Sequence, residues 1–258
     1  MCGRFVSTSS TKALAEQFGA ETALPDRAPD YNVTPRRAIV TVAEHDGSRV
    51  LEAMRWGLIP SWAKDASMGD RMINARAETV AEKPAFKRAL AKRRCIIPAD
   101  GFYEWKRLDE FEPVAVGSKA KPKPKKQPMF IHAAGGHPGA LAFAGIFERW
   151  HDPADPDGDV VVSCSIITTA ANATMAPIHD RMPVILPEAA WSSWLDREST
   201  DADVLTALLV PAATDVLEAY PVSTLVNNPR HNGEELVRPY EIPTAATIEP
   251  AGELFPPG

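Results

Sequence analysis

The sequence predicts an α+β fold. Short β-rich runs are separated by turn signals, the helix candidates stand apart from them, and the regular strand–helix–strand rhythm of a parallel sheet is missing. With 258 residues, 45 % hydrophobic and 24 % charged, the chain has the composition of a globular protein and can bury a large core. No run approaches the ~18 apolar residues that a spanning helix needs. The N-terminus lacks the basic-then-apolar pattern of a secretory signal, so a cytoplasmic protein is expected.

Taken in order, Ser9-Ser10 before Thr11–Phe18 reads as a capped, short amphipathic helix. Residues 38–43 and 50–56 are β-rich around His45-Asp46-Gly47-Ser48, which predicts a hairpin. A helix is expected over 82–93, with Pro84 in its first turn and Phe86, Ala89 and Leu90 on one face. Strand-like runs follow at 95–98, 102–106, 129–133, 141–147 and 160–168, then two further helices at 187–195 and 201–209. Gly117–Lys126 alternates Lys and Pro, which repels itself and cannot pair in a sheet, so it reads as a solvated hairpin insertion rather than a functional basic arm. Asp152–Asp159 is a turn-rich acidic loop without the spacing of a calcium loop.

Three cysteines with no paired spacing argue against a disulfide framework. Cys95 and Cys164 lie in apolar runs and read as buried, inert thiols. Cys2 is different, because removal of Met1 would leave it with a free α-amine beside its thiol. An α-amine has a reference pKa near ~8, so an appreciable fraction is neutral and nucleophilic at neutral pH. It can add to an aldehyde as an imine, and the neighbouring thiol can close intramolecularly to a five-membered thiazolidine. An accidental cysteine at position two is the plainer alternative.

Three further polar residues sit in otherwise structural surroundings. Asn74 follows the apolar pair Met72-Ile73, Glu104 stands between Tyr103 and Trp105, and His179 occupies a loop bounded by Pro177 and Pro183. A carboxylate among aromatics is penalised when charged, which suits proton transfer near neutral pH. Each also has a structural alternative: a cap for Asn74, an exposed strand position for Glu104, a hydrogen-bonded loop residue for His179. Zinc motifs, a phosphate loop and a serine-hydrolase elbow are all missing, so neither metal nor cofactor is expected. The net charge of −6 does not suggest a nucleic-acid binder, yet clustered arginines leave room for a local basic groove.

Six segments occur together: Cys2-Gly-Arg4, Tyr31-Asn-Val-Thr-Pro35, Arg55-Trp-Gly-Leu-Ile-Pro-Ser-Trp62, Asn74-Ala-Arg-Ala-Glu-Thr79, Arg94-Cys-Ile-Ile-Pro-Ala-Asp-Gly-Phe-Tyr-Glu-Trp105 and Ile178-His-Asp-Arg-Met-Pro183. In this order they resemble the SOS-response-associated peptidase (SRAP) family of abasic-site processing proteins. The resemblance implies one domain over 2–240, with curved, mainly antiparallel sheets in a barrel-like core and flanking helices. A Lys/Pro-rich insertion at about 107–127 interrupts that domain, and a Pro/Ala-rich tail at 241–258 follows it.

By the same resemblance, a mature N-terminal Cys2 crosslinks to abasic sites in single-stranded DNA. Glu104 then assists sugar-ring opening and proton transfer, Asn74 positions the sugar or amine, and His179 orients or protonates the sugar. Strand cleavage by β-elimination and processing of Met1 are implied side activities. Arg4, Arg76 and Arg181 each lie within two residues of one of these groups and are the candidate phosphate contacts. Trp62 is a candidate for stacking on exposed bases, whereas Trp56 reads as core. A monomer without an obligate protein partner or membrane contact is expected, associated with the nucleoid when on DNA. Two other classes remain open on the residues alone: a non-covalent reader of modified or unpaired bases, and a thiol peptidase acting on other proteins.

Overall fold

Most of the β-rich runs become strands that extend beyond the sequence expectation. The structure, a computed structural model, describes residues 2–111, 123–136, 139–155 and 157–241. Its first strands are β1 (Phe5–Ser7), β2 (Glu21–Thr22), β3 (Asp30–Val33), β4 (Ala38–His45), β5 (Ser48–Trp56), β6 (Asn74–Arg76) and β7 (Arg94–Ala99). They are followed by β8 (Gly101–Phe111), β9 (Pro124–Ala133), β10 (Leu141–Trp150), β11 (Val161–Ala170), β12 (Arg181–Pro183) and β13 (Leu217–Pro221). The α-helices are α1 (Thr11–Phe18), α2 (Lys87–Lys92), α3 (Trp191–Leu195) and α4 (Ala202–Ala207). The tail from residue 242, Met1 and the part of the Lys/Pro tract up to residue 122 lie outside the described residues.

Strands β11, β10, β7, β4 and β5 run antiparallel in that order, and β5 returns to β11 through a short parallel pairing. Ser163 there faces Arg55 and Cys164 faces Trp56, which closes a five-stranded mixed barrel. A second sheet, in the order β13-β9-β8-β1-β3, packs onto it. Side chains alternate along each barrel strand. Cys95, Ile97, Phe143, Met54, Trp56, Cys164 and Ile166 point inward, where they meet Phe5, Phe102 and Ile131 of the second sheet. The opposite faces carry Val40, Val42, Ile96, Ala144 and Ile146, which are covered by Leu14, Phe18, Leu90, Trp194 and Leu205 of the helices. Phe5 is the pivot of the inner core, its ring edge-on to Trp56 at 5.2 Å and to Phe143 at 6.5 Å.

Local chemistry explains the elements. Ser10 caps α1 by accepting from the Ala13 N–H at 3.1 Å. Asp46 and Gly47 both take positive φ, which gives the β4–β5 hairpin the twist its strands need. The helix expected over 82–93 is shorter, with regular α geometry only at Lys87–Lys92. Pro84 has no N–H and pushes Lys83 away from helical backbone, so 79–86 forms successive turns instead. The helix expected at 187–195 begins as a 3-10 turn over Glu188–Ala190, and α4 is capped by Asp201.

The Lys/Pro tract corrects another expectation, since its end, Pro124-Lys125-Lys126, is the start of β9. Pro is tolerated at the first residue of a strand. An ion pair of 2.7 Å between Lys125 and Glu110 offsets part of the repulsion.

The loop after β5 folds back on itself at two glycines. A Cβ on Gly57, whose φ is +118°, would lie 2.7 Å from the Gly69 carbonyl oxygen. Gly47 also has positive φ (+82°) but nothing within 4 Å. Gly47→Ala should therefore cost only the ~1–2 kcal/mol of left-handed backbone. Gly57→Ala should cost a further ~1–3 kcal/mol for the clash. Denaturant titration measures both, and equal losses would contradict the close approach.

Candidate active site

Cys2 lies just before β1 and is fully buried where the barrel core meets the second sheet. Asn74 opens β6, which pairs in parallel with β11 so that Asn74 stands opposite Ile166. Its Nδ2 donates to the Cys2 carbonyl at 2.8 Å, while its buried Oδ1 has no hydrogen-bond partner among the described residues. Glu104 sits on β8 opposite Met129 and is buried. His179 follows a turn over 172–178 and precedes β12, and its Nε2 is 3.9 Å from Glu104 Oε2. The four residues expected to carry chemistry are thus brought together from four separate segments.

The surroundings of Glu104 differ from the sequence expectation. Tyr103 and Trp105 point to the opposite face of β8, where Tyr103 packs with Phe130, Val222 and Val226. The carboxylate is enclosed on its own face instead, because alternate strand residues face opposite ways. Burial, and then the charge of Glu104, push the Cys2 thiol well above its ordinary range. Cys2 is therefore held as a thiol rather than a thiolate. Cys95 and Cys164 are also buried free thiols, raised chiefly by burial.

Two groups compete for Nδ1 of His179. The Arg181 backbone N–H donates to it at 3.0 Å, and the Asp180 carboxylate lies 2.9 Å away. One tautomer cannot satisfy both. The backbone donor is fixed whereas Asp180 is 86 % exposed, so the neutral ring carries its proton on Nε2, facing Glu104.

The candidate DNA-contacting residues are disposed differently from one another. Arg76 is exposed on β6, and Trp62 stands 57 % exposed on the loop after β5. That loop is pinned by Trp150 Nε1 donating to the Ala63 carbonyl at 2.8 Å, and by Asp70 bridging Arg36 and Arg55. Arg181 grips Glu78 through two bonds of 2.5 and 2.9 Å and donates to the Thr168 carbonyl at 2.6 Å. This contact holds the Glu78 carboxyl below its usual range. Arg4 turns inward, donating to Asn32 Oδ1 at 2.7 Å and the Val226 carbonyl at 2.8 Å, with its guanidinium 5.6 Å from the Trp105 ring centre. Trp56 is fully buried, as expected of a core residue.

Sequence reasoning gave no role to Glu78 or Asn32, although both fall within the quoted segments. Asn32 is fully buried and donates to the carbonyls of Asn228 and His231 at 3.1 and 2.8 Å. It thereby ties the C-terminal segment to β3 beside Arg4. A polar residue inside Tyr31-Asn-Val-Thr-Pro35 was the available signal.

The model of the SOS response associated peptidase (SRAP) family matches residues 1–229. The abasic site processing protein YoqW of Bacillus subtilis is 46 % identical over 239 residues, 92 % of this chain and 99 % of that one. The abasic site processing protein HMCES of Pongo abelii is 33 % identical over 264 residues, covering 88 % of this chain and 70 % of that one. A crystal structure of a Bacteroides thetaiotaomicron protein superposes with a TM-score of 0.78 at 25 % identity, over 93 % of this chain and 100 % of that one. A phage-related protein from Bordetella bronchiseptica gives a TM-score of 0.64 at 29 % identity, over 86 % and 94 %. The chain belongs to the SOS response associated peptidase family.

Proposed function

We propose that this protein processes abasic sites by binding single-stranded DNA and trapping the ring-opened sugar on Cys2 after Met1 is removed. The observation that carries the reading is the convergence of Cys2, Asn74, Glu104 and His179 at one point. The names of its relatives, abasic site processing proteins, point the same way.

In this reading the α-amine of Cys2 attacks C1′ of the open aldehyde and water leaves to give an imine. The Cys2 thiol then adds to the imine carbon while its proton passes to nitrogen, closing a thiazolidine. A buried, protonated thiol suits that order of events, since amine addition precedes sulfur addition. Asn74, bonded to the Cys2 carbonyl, fixes the direction of the amine. Glu104 and His179, 3.9 Å apart, move protons between the sugar oxygen and the amine. The same imine can lose the 3′ phosphate by β-elimination, which gives a side lyase activity. Removal of Met1 by the same groups accounts for the peptidase in the family name. Arg76 and Trp62 supply the outward contacts to phosphate and base, and a phosphate displaces Glu78 from Arg181.

Cys2→Ser should leave only a labile imine, so denaturing gels after heating should show the crosslink lost; a heat-stable crosslink at the wild-type level would defeat the mechanism. Glu104→Gln should slow crosslinking by about 10²–10⁴-fold with affinity for an abasic analogue nearly intact. Burial remains the larger cause, but losing the Glu104 charge lowers the thiol pKa, so Cys2 in this variant should react faster with iodoacetamide at fixed pH. A parallel fall in affinity and rate would instead make Glu104 a binding or folding residue. On a short oligonucleotide, about three or four phosphate contacts give a log–log salt slope of roughly −2 to −3. Arg76→Ala and Arg181→Ala should each flatten it, and unchanged slopes in both would remove the arginine groove.

A further inference from the structure

The face of β8 turned away from Glu104 carries a groove of its own. It has a volume of about 640 Å³ and is lined by Trp105, Arg107, Lys123, Pro124, Lys126 and Asn227. Strand alternation puts Trp105 and Arg107 on one face, and the β8–β9 register sets Arg107 directly opposite Lys126. Two like charges directly opposite each other across strands destabilise the pairing. Among the described residues no carboxylate forms an ion pair with Arg107, Lys123 or Lys126. The neighbouring Lys125, which is not part of the groove, is by contrast neutralised by Glu110 at 2.7 Å. Among the described residues, the groove side of the ribbon therefore carries positive charge with no ion-paired carboxylate.

The groove is also held in shape. Trp105 Nε1 donates to Asn227 Oδ1 at 2.7 Å, which fixes the indole at the inner end. Trp105 is the chain neighbour of Glu104, so this inner end lies one residue from the candidate reactive centre, around the edge of β8. Arg107 lies two residues further along β8 and Lys126 stands opposite it on β9.

We infer that Arg107, Lys123 and Lys126 form a second phosphate-binding track, which holds the backbone of the single strand flanking the abasic sugar. This rests on the reading of the protein as a binder of abasic single-stranded DNA. It gives the described end of the Lys/Pro tract a role, and it adds phosphate contacts to those made at the reactive centre.

Fluorescence anisotropy with oligonucleotides carrying a tetrahydrofuran abasic analogue tests it. One oligonucleotide covers only the reactive centre, and two others are extended by several nucleotides on either side. The wild type should show a steeper salt dependence on one of the extended strands than on the short one. Arg107→Gln with Lys126→Gln should reduce that slope by about 1.4, two contacts at roughly 0.7 each. The slope on the short strand should match the wild type, and Lys125→Gln should change neither.

Thermal melting of the double variant should equal or exceed the wild type, because a like-charge pair has been removed. Equal wild-type slopes on short and extended strands would overturn the track, as would a double variant that behaves as the wild type on both extended strands. Loss on the short strand as well would also overturn it, by assigning these residues to the reactive centre. If the wild type forms no crosslink with natural abasic DNA but the extended-strand difference persists, the covalent reading fails and the track stands.

Discussion

Everything at the candidate site depends on the two edges of β11. One edge takes β10 and then β12, while the other takes β5 and then β6. The β5 pairing closes the barrel, and the β6 pairing immediately beyond it delivers Asn74. The β12 pairing anchors the segment that carries His179 and Arg181, with Ala170 opposite Arg181. Thr168 stands opposite both Arg76 and Pro183, so the two arms are tied to a single strand. Cys2 precedes β1 and Glu104 lies on β8 of the second sheet, whose Phe5 and Phe102 share an aromatic core with Cys164 and Ile166 of this strand.

That arrangement keeps polar chemistry inside an apolar junction at an energetic cost. A buried amide oxygen without a partner, as Asn74 Oδ1 is among the described residues, destabilises by about 1–3 kcal/mol. A thiol raised by burial and a neighbouring carboxylate is likewise less willing to ionise. Such costs are tolerated where function needs the groups, and they cluster here at the point where four segments meet. The arginines are arranged with less uniformity. Arg76 faces solvent, Arg181 is held by Glu78, and Arg4 braces Trp105 and the C-terminal segment.

Local elements were legible in the sequence because local chemistry decides them. The Asp46-Gly47 turn, the Ser10 cap and the β-branched run of β11 needed no tertiary information. The α+β class and the barrel-like core followed from these and from the family resemblance. The parallel closure of β11 on β5 was not legible residue by residue, since Cys164 and Trp56 are far apart in sequence and nothing local encodes their pairing. Asn74, Glu104 and His179 were legible as candidates through the quoted segments, but the environment of Glu104 was misread. Its aromatic neighbours face away, an alternation that strand geometry imposes once Phe102–Lys106 is a strand. Pro84 shortened a helix that apolar periodicity had extended, and the end of the Lys/Pro tract joined β9 where its charge is partly offset.

The central claim is that Cys2, with its amine freed, forms the covalent bond. Intact-mass spectrometry of the purified protein, before and after incubation with an abasic single-stranded oligonucleotide, tests it most directly. The account predicts a starting mass lacking one methionine, and an adduct heavier by the oligonucleotide less one water, with peptide mapping placing the linkage at Cys2. A protein that retains Met1 and still forms the adduct, or a linkage mapped to any other residue, would contradict it.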